Sequence, residues 1–174
     1  MNTRLRLIPR IALFSALIYV FSWGTSYLPN INLAFFIAFS AGVFWGFIPG
    51  ALVGALGMGL WSMINPFGPA TLPVFLAQVF GMALSGLTGG VFAFKKWHLI
   101  AGKQLTAYLV LASIACTLLF YIPVNFIDAW LFQPFWPRFV GGMAWSGISL
   151  IANIIIFSIL FRPVSLLYNK ERLT

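Results

Sequence analysis

Nine of the chain's ten lysines and arginines fall at alternate junctions between apolar stretches, and this distribution limits the fold more than any other feature. Arg4, Arg6 and Arg10 precede the first stretch. Lys95, Lys96 and Lys103 lie between the fourth and fifth, and Arg162, Lys170 and Arg172 follow the sixth. Only Arg138 breaks the pattern. Cytoplasmic loops of membrane proteins retain Lys and Arg, so the spacing predicts an even number of crossings with both termini inside. The expected fold is an all-α membrane bundle of about six transmembrane helices. It is read as one integral domain over residues 1–174, seated in an inner or plasma membrane.

Composition removes other classes. The chain is 61% hydrophobic and 7% charged, against roughly a quarter charged in soluble domains. A net charge of +8 would suggest nucleic acid in a soluble protein. Here the cations sit at helix ends, as topology signals and contacts for anionic lipid, and no nucleic-acid partner is expected. The single cysteine rules out an internal disulfide framework. With no soluble extension, any ATP-binding or catalytic domain is expected on another chain.

Spans are expected at residues 8–23, 33–47, 49–64, 72–94, 104–124 and 139–161, given the roughly 20 apolar residues a crossing needs. The stretch Trp45-Gly46-Phe47-Ile48-Pro49-Gly50 between the second and third carries no cation, so a single shorter hairpin over residues 33–64 competes with two full spans. Asn65-Pro66-Phe67-Gly68-Pro69 is a turn signal. Residues 125–138, rich in aromatics and proline, are read as the longest outer loop. Gly50 and Gly54 on the third helix, with Ala77, Gly81, Ser85 and Gly89 at spacing four on the fourth, predict backbone-close packing of these two helices. Ala12 and Ala16 share one face of the first helix, a notch suited to a foreign helix.

The chemistry available is narrow. The two acids, Asp128 and Glu171, fall outside every expected span. An ion-coupled carrier usually holds a carboxylate at membrane depth. One His, one Cys and two distant carboxylates make no metal site, and Cys116, mid-helix, reads as a packing residue. The chain is therefore expected to be neither an enzyme nor a self-powered pump, with no metal and no cofactor of its own. What it offers is a set of polar and aromatic residues on the outer side, read as a solute site: Asn30, Trp61, Asn65, Gln78, Asn125, Asp128, Trp136, Arg138, Trp145 and, deeper, Asn153. Amides and one ion pair among Trp rings suit a planar, hydrogen-bonding organic molecule. Interface belts of Trp and amide bonding between helices would account for the same residue types.

The segment Arg10-Ile11-Ala12-Leu13-Phe14-Ser15-Ala16-Leu17 resembles the opening helix of the S components of energy-coupling factor (ECF) transporters, where an Ala-x-x-x-Ala motif meets the shared membrane subunit. Residues 41–55, from Ala41-Gly42-Val43 through Pro49-Gly50 to Gly54-Ala55, resemble the Gly-rich passage between their second and third helices. The likeness covers residues 10–94, with compatible topology beyond. It implies an S-component-like bundle that captures a vitamin or related micronutrient outside. Delivery would involve a T component, docked at Ala12 and Ala16, and two ATPase subunits that use the ATP. A structural membrane protein like the cell-shape scaffold MreD, with no solute ligand, is the alternative.

Overall fold

The computed structural model describes the backbone of residues 3–28 and 30–173 and the side chains of residues 7–28 and 30–169. Among these, six α-helices and one 3-10 turn account for the regular structure: α1 (Thr3–Gly24), α2 (Ala34–Trp45), α3 (Phe47–Met63), α4 (Leu72–Phe94), the 3-10 turn Trp97–Leu99, α5 (Gly102–Leu131) and α6 (Phe135–Leu173). Four of them, α1, α4, α5 and α6, contain stretches long and apolar enough to cross a membrane. The chain is an all-α membrane bundle.

α2 and α3 have 12 and 17 residues, about 18 and 26 Å at 1.5 Å per residue. Both fall short of the ~30 Å hydrocarbon thickness. α2 tolerates its shortness because protein surrounds it, with every residue from Ala34 to Val43 buried. A helix apolar on all sides is a core helix, and its rings interlock with the outer ones. Phe35 meets Phe120 edge to face at 5.2 Å, Phe36 meets Phe157 at 5.5 Å, and Phe39 meets Phe92 at 5.2 Å. Residues 33–64 thus form a compact helical hairpin. Its hinge is a single residue, Gly46, at φ +93°, a conformation in which a Cβ is strained.

Three glycines weld the hairpin to α4. A methyl group built on Gly86 would overlap the Gly50 carbonyl, and one on Gly42 would overlap the Gly86 carbonyl. α3 and α4 therefore touch backbone to backbone, as the small residues predict, but in a different register. The Ala77-Gly81-Ser85-Gly89 ladder does not face α3. Gly81 abuts Phe120 on α5, Ser85 donates to the Cys116 carbonyl at 3.4 Å, and Gly89 abuts Phe39 on α2. It is the neighbouring ridge, Met82-Gly86-Gly90, that meets α3 through Gly54, Gly50 and Phe47. α4 is small on more than one face because it packs on three helices at once.

The later helices are longer than the sequence predicts. α5 runs through Pro123 to Leu131, and α6 begins at Phe135 and passes Pro163 to Leu173. The loop expected at residues 125–138 shrinks to residues 132–134, with a cis Gln133–Pro134 bond and the Gln133 Oε1 accepting the Phe135 N–H at 2.7 Å. Proline is tolerated inside membrane helices because neighbouring helices satisfy the freed backbone groups. The apolar pattern also continues, with Ala129 fully buried.

Chain order places Arg10, the 95–103 segment and Arg162 at one end of the bundle, where the Arg10 guanidinium lies 5.9 Å over the Trp45 ring. We call this the basic end. The loops at residues 25–33, 64–71 and 132–134 form the far end.

Two tests follow from this packing. Gly86→Ala is expected to cost about 1–3 kcal/mol through overpacking. Gly147→Ala, whose added methyl meets nothing within 4 Å, should leave stability unchanged or raise it by about 0.5–1 kcal/mol. Thermal unfolding of the detergent-purified variants checks both. For orientation, cysteines at Phe67 and Leu99, 77% and 70% exposed at opposite ends, are expected to label from opposite sides of the membrane. Cys116, fully buried, should give no background.

Candidate functional site

The far end contains a cavity of about 270 Å³. The 25–33 loop lies across it, and the outer turns of α1, α2, α3, α4 and α5 make its walls. Aromatic side chains, Phe35, Trp61, Phe67, Phe120 and Tyr121, supply the apolar surface, while Ser22, Thr25, Ser26, Asn30, Asn32 and Gln78 supply the polar groups. Small-molecule sites commonly combine an apolar wall with a few placed polar groups.

Short-range bonding fixes each wall. Asn32 bridges α1 to α2, its Nδ2 donating to Ser22 Oγ at 2.9 Å and its Oδ1 accepting the Ala34 N–H at 2.8 Å. The latter contact caps the first turn of α2. Asn30 sits at φ +56°, a region in which Asn is enriched. Its Nδ2 donates to the Trp145 carbonyl at 3.0 Å, and its own carbonyl accepts from Ser149 Oγ. With its proton so used, Ser149 accepts from the Tyr121 hydroxyl at 2.7 Å. The loop is thus tied through Asn30 to α6, and through Ser149 to α5.

Gln78 is the amide on the α4 wall. Ser62 Oγ lies 2.6 Å from Gln78 Oε1 and 2.8 Å from the Met58 carbonyl. A hydroxyl has one proton for these two acceptors. If it goes to Met58, the side-chain amide turns to donate to Ser62 instead, and its oxygen is freed. Either way one polar atom of Gln78 remains unpaired beside the cavity. Ser26 Oγ is buried without a partner, and a buried polar atom left unpaired is costly. Trp61 stands edge to face with Trp23 at 6.3 Å, and Trp23 Nε1 donates to the Ile64 carbonyl at 3.3 Å.

Of the ten residues the sequence singles out, the structure brings Asn30, Trp61 and Gln78 together on this cavity. The other seven do not line it. Asn65 builds its own turn, donating to the Trp61 and Gly68 carbonyls and accepting the Phe67 N–H. Asn125 donates to Ser146 Oγ at 3.0 Å, and the 1%-exposed Asn153 donates to Thr117 Oγ1 at 2.9 Å. Both join α5 to α6. Asp128 and Arg138 pair with each other across the α5–α6 turn at 2.6 Å. The Trp136 and Trp145 side chains face outward, as interface tryptophans do.

The sequence reading passed over Ser22, Ser26 and Tyr121. The available signal was a pair of hydroxyls, four residues apart, where α1 ends. Nothing in the sequence places Tyr121 beside them, because that needs the α2–α5 packing.

A second feature lies on the side of the bundle. Ala12, Ser15, Ala55, Gly59 and Phe75 border an apolar groove of about 570 Å³ between α1, α3 and α4. Ala12 and Ala16 are both exposed, Ala12 on the groove itself, while Ser15 between them is buried. At the basic end, burial lowers the His98 pKa below the ordinary histidine value.

The fold and this cavity define a class: a helical membrane bundle with a polar, aromatic-walled cavity at the end opposite Arg10, Lys95 and Arg162. No protein-family model, curated protein sequence or solved structure matches the chain.

Since Asn153 bonds helix to helix, Asn153→Ala is expected to lower stability by about 1 kcal/mol, the scale of hydrogen bonds between membrane helices. Solute binding should be unaffected. Parallel thermal-unfolding and ligand-titration measurements separate the two effects.

Proposed function

We propose that this chain is the solute-capturing S component of an ECF-type importer. It takes a vitamin or related micronutrient from the extracytoplasmic side and delivers it with a T component and two ATPase subunits. The observation that carries this reading is the cavity itself, at the end where Arg138 is the one cation among the described residues and is paired with Asp128. The rule that cytoplasmic segments keep Lys and Arg orients that end outward and puts both termini inside. The spans then number six, with α2 and α3 as a short pair shielded by their neighbours.

The charge inventory supports a passive receptor. No Asp, Glu, Lys, Arg or His occurs from residue 11 to 94, and the described helices cluster no His, Cys, Asp or Glu into a metal site. Nothing at membrane depth is suited to harness an ion gradient. The energy must come from companions, and the exposed Ala12/Ala16 face beside the apolar groove suits a T-component helix, since small residues let backbones approach. The groove alone would equally serve a scaffold that binds no solute; the polar cavity favours the receptor.

The test uses the small molecule released from gently purified protein, titrated back by tryptophan quenching. Gln78→Ala and Trp61→Ala are each expected to weaken binding by about tenfold or more, near the ~1–3 kcal/mol of a lost buried polar partner. Asp128→Ala and Trp136→Ala should bind as the parent does. Ala16→Trp should abolish uptake in cells and spare binding. Equal affinity in all four cavity and surface variants would reject the site, and loss of binding in Ala16→Trp would make that face an internal packing element.

A further inference from the structure

We infer that the solute held by this cavity is electrically neutral, bearing no carboxylate, phosphate or fixed cation at physiological pH. This rests on the receptor reading and narrows it. The cavity lining contains no Asp, Glu, Lys, Arg or His. Its titratable member, Tyr121, keeps its proton on Ser149. What remains are amides, hydroxyls and rings.

None of the described charged residues lines the cavity. Asp128 and Arg138, the charged pair at the far end, lie outside the cavity and satisfy each other at 2.6 Å. Lys95 stands at the opposite end of α4, about 26 Å along the helix from Gln78. At the N-terminus of α2, which reaches the cavity through Phe35, one of the N–H groups left without a helical partner, that of Ala34, is taken by Asn32 Oδ1. An ionised group entering this cavity would give up hydration and meet no counter-charge, a penalty that neutral amides and hydroxyls do not repay.

The polar groups that are left suit a neutral molecule. Ser26 Oγ is buried without a partner, and Gln78 keeps one amide atom unpaired. Together they match a ring carbonyl, ring nitrogen or hydroxyl, with Phe35, Trp61 and Phe120 as stacking faces. A volume of about 270 Å³, near the lower end of the ~300–1,000 Å³ usual for ligand sites, favours a small molecule of one or two rings. The solute class is a compact neutral heterocycle.

The experiment has two arms. In the first, the molecule released from gently purified protein is identified by mass spectrometry, and its charge at pH 7 is measured by capillary electrophoresis. A neutral molecule is expected; a charged one overturns this inference and leaves the receptor reading standing. In the second, Gln78→Glu and Gln78→Lys are titrated with that molecule, after thermal unfolding has established that each variant folds. Both should bind at least tenfold more weakly than the parent. Tighter binding by either would mean a ligand of the opposite charge and would overturn the inference. If the variants fail to fold, the first arm decides alone. If the parent releases nothing, and takes up nothing from the small-molecule fraction of yeast extract, the receptor reading falls and this inference falls with it.

Discussion

The contact among Gly42, Gly50 and Gly86 is the constraint on which the rest of the structure depends. Lipid tails are as apolar as leucine, so burying apolar side chains gains little in a membrane, and helices associate by close packing instead. Glycine allows the closest packing, and here three helices meet through backbone atoms. A central helix only 12 residues long would be a poor membrane element by itself. Pressed against α3 and α4, with Phe rings from α5 and α6 closing the remaining sides, it never has to match the bilayer.

The same residue sizes explain where space is left. The glycine contacts gather in the half of the bundle nearer Gly46 and Lys95. Beyond Gly54 and Met82 the walls carry Met58, Trp61, Phe35, Phe120 and Gln78, whose bulk stands the helices apart. Interiors are close-packed to the point that a single methylene is felt. Along the seam between α2, α3 and α4, glycine at one end and bulkier side chains at the other therefore give a taper, narrow near Gly46 and wide near Trp61. The cavity is a consequence of that taper, and the loop at residues 25–33 closes over its wide end.

Much of this was legible from residue pattern. The six apolar stretches, the gathering of cations other than Arg138 at alternate junctions and the close approach of α3 to α4 follow from span length, charge placement and small-residue spacing. The helix ends expected at Val124 and Phe161 fall short, because residues 125–138, rich in aromatics and proline, read as a loop, whereas a membrane bundle lets a helix pass through proline. The face of α4 was misassigned because a helix small on three sides has no unique ladder in its sequence. Asn30, Trp61 and Gln78 could be placed near the outer side. Asn125 and Asn153 have the same amide chemistry and bond between helices instead. Sequence reveals that an amide in a membrane needs a partner, but the fold decides whether that partner is a helix or a void.

The hydrogen bonds at the far end suggest how the cavity and the bundle communicate. α6 contributes no side chain to the cavity lining, yet it holds the covering loop. Trp145 gives its carbonyl to Asn30, and Ser149 sits between the Asn30 carbonyl and the Tyr121 hydroxyl. Tyr121 is itself a wall residue, its ring 5.9 Å from Phe35. A solute that shifts Tyr121 or the loop must disturb Ser149, and with it the hold of α6 on Asn30. α6 extends without interruption to the basic end, where Tyr168 stacks on Phe44 at 4.2 Å and bonds to its carbonyl. One helix thus touches the covering loop at one end and, beyond Pro163, the end of α2 at the other. The same helix therefore carries contacts from both ends of the bundle.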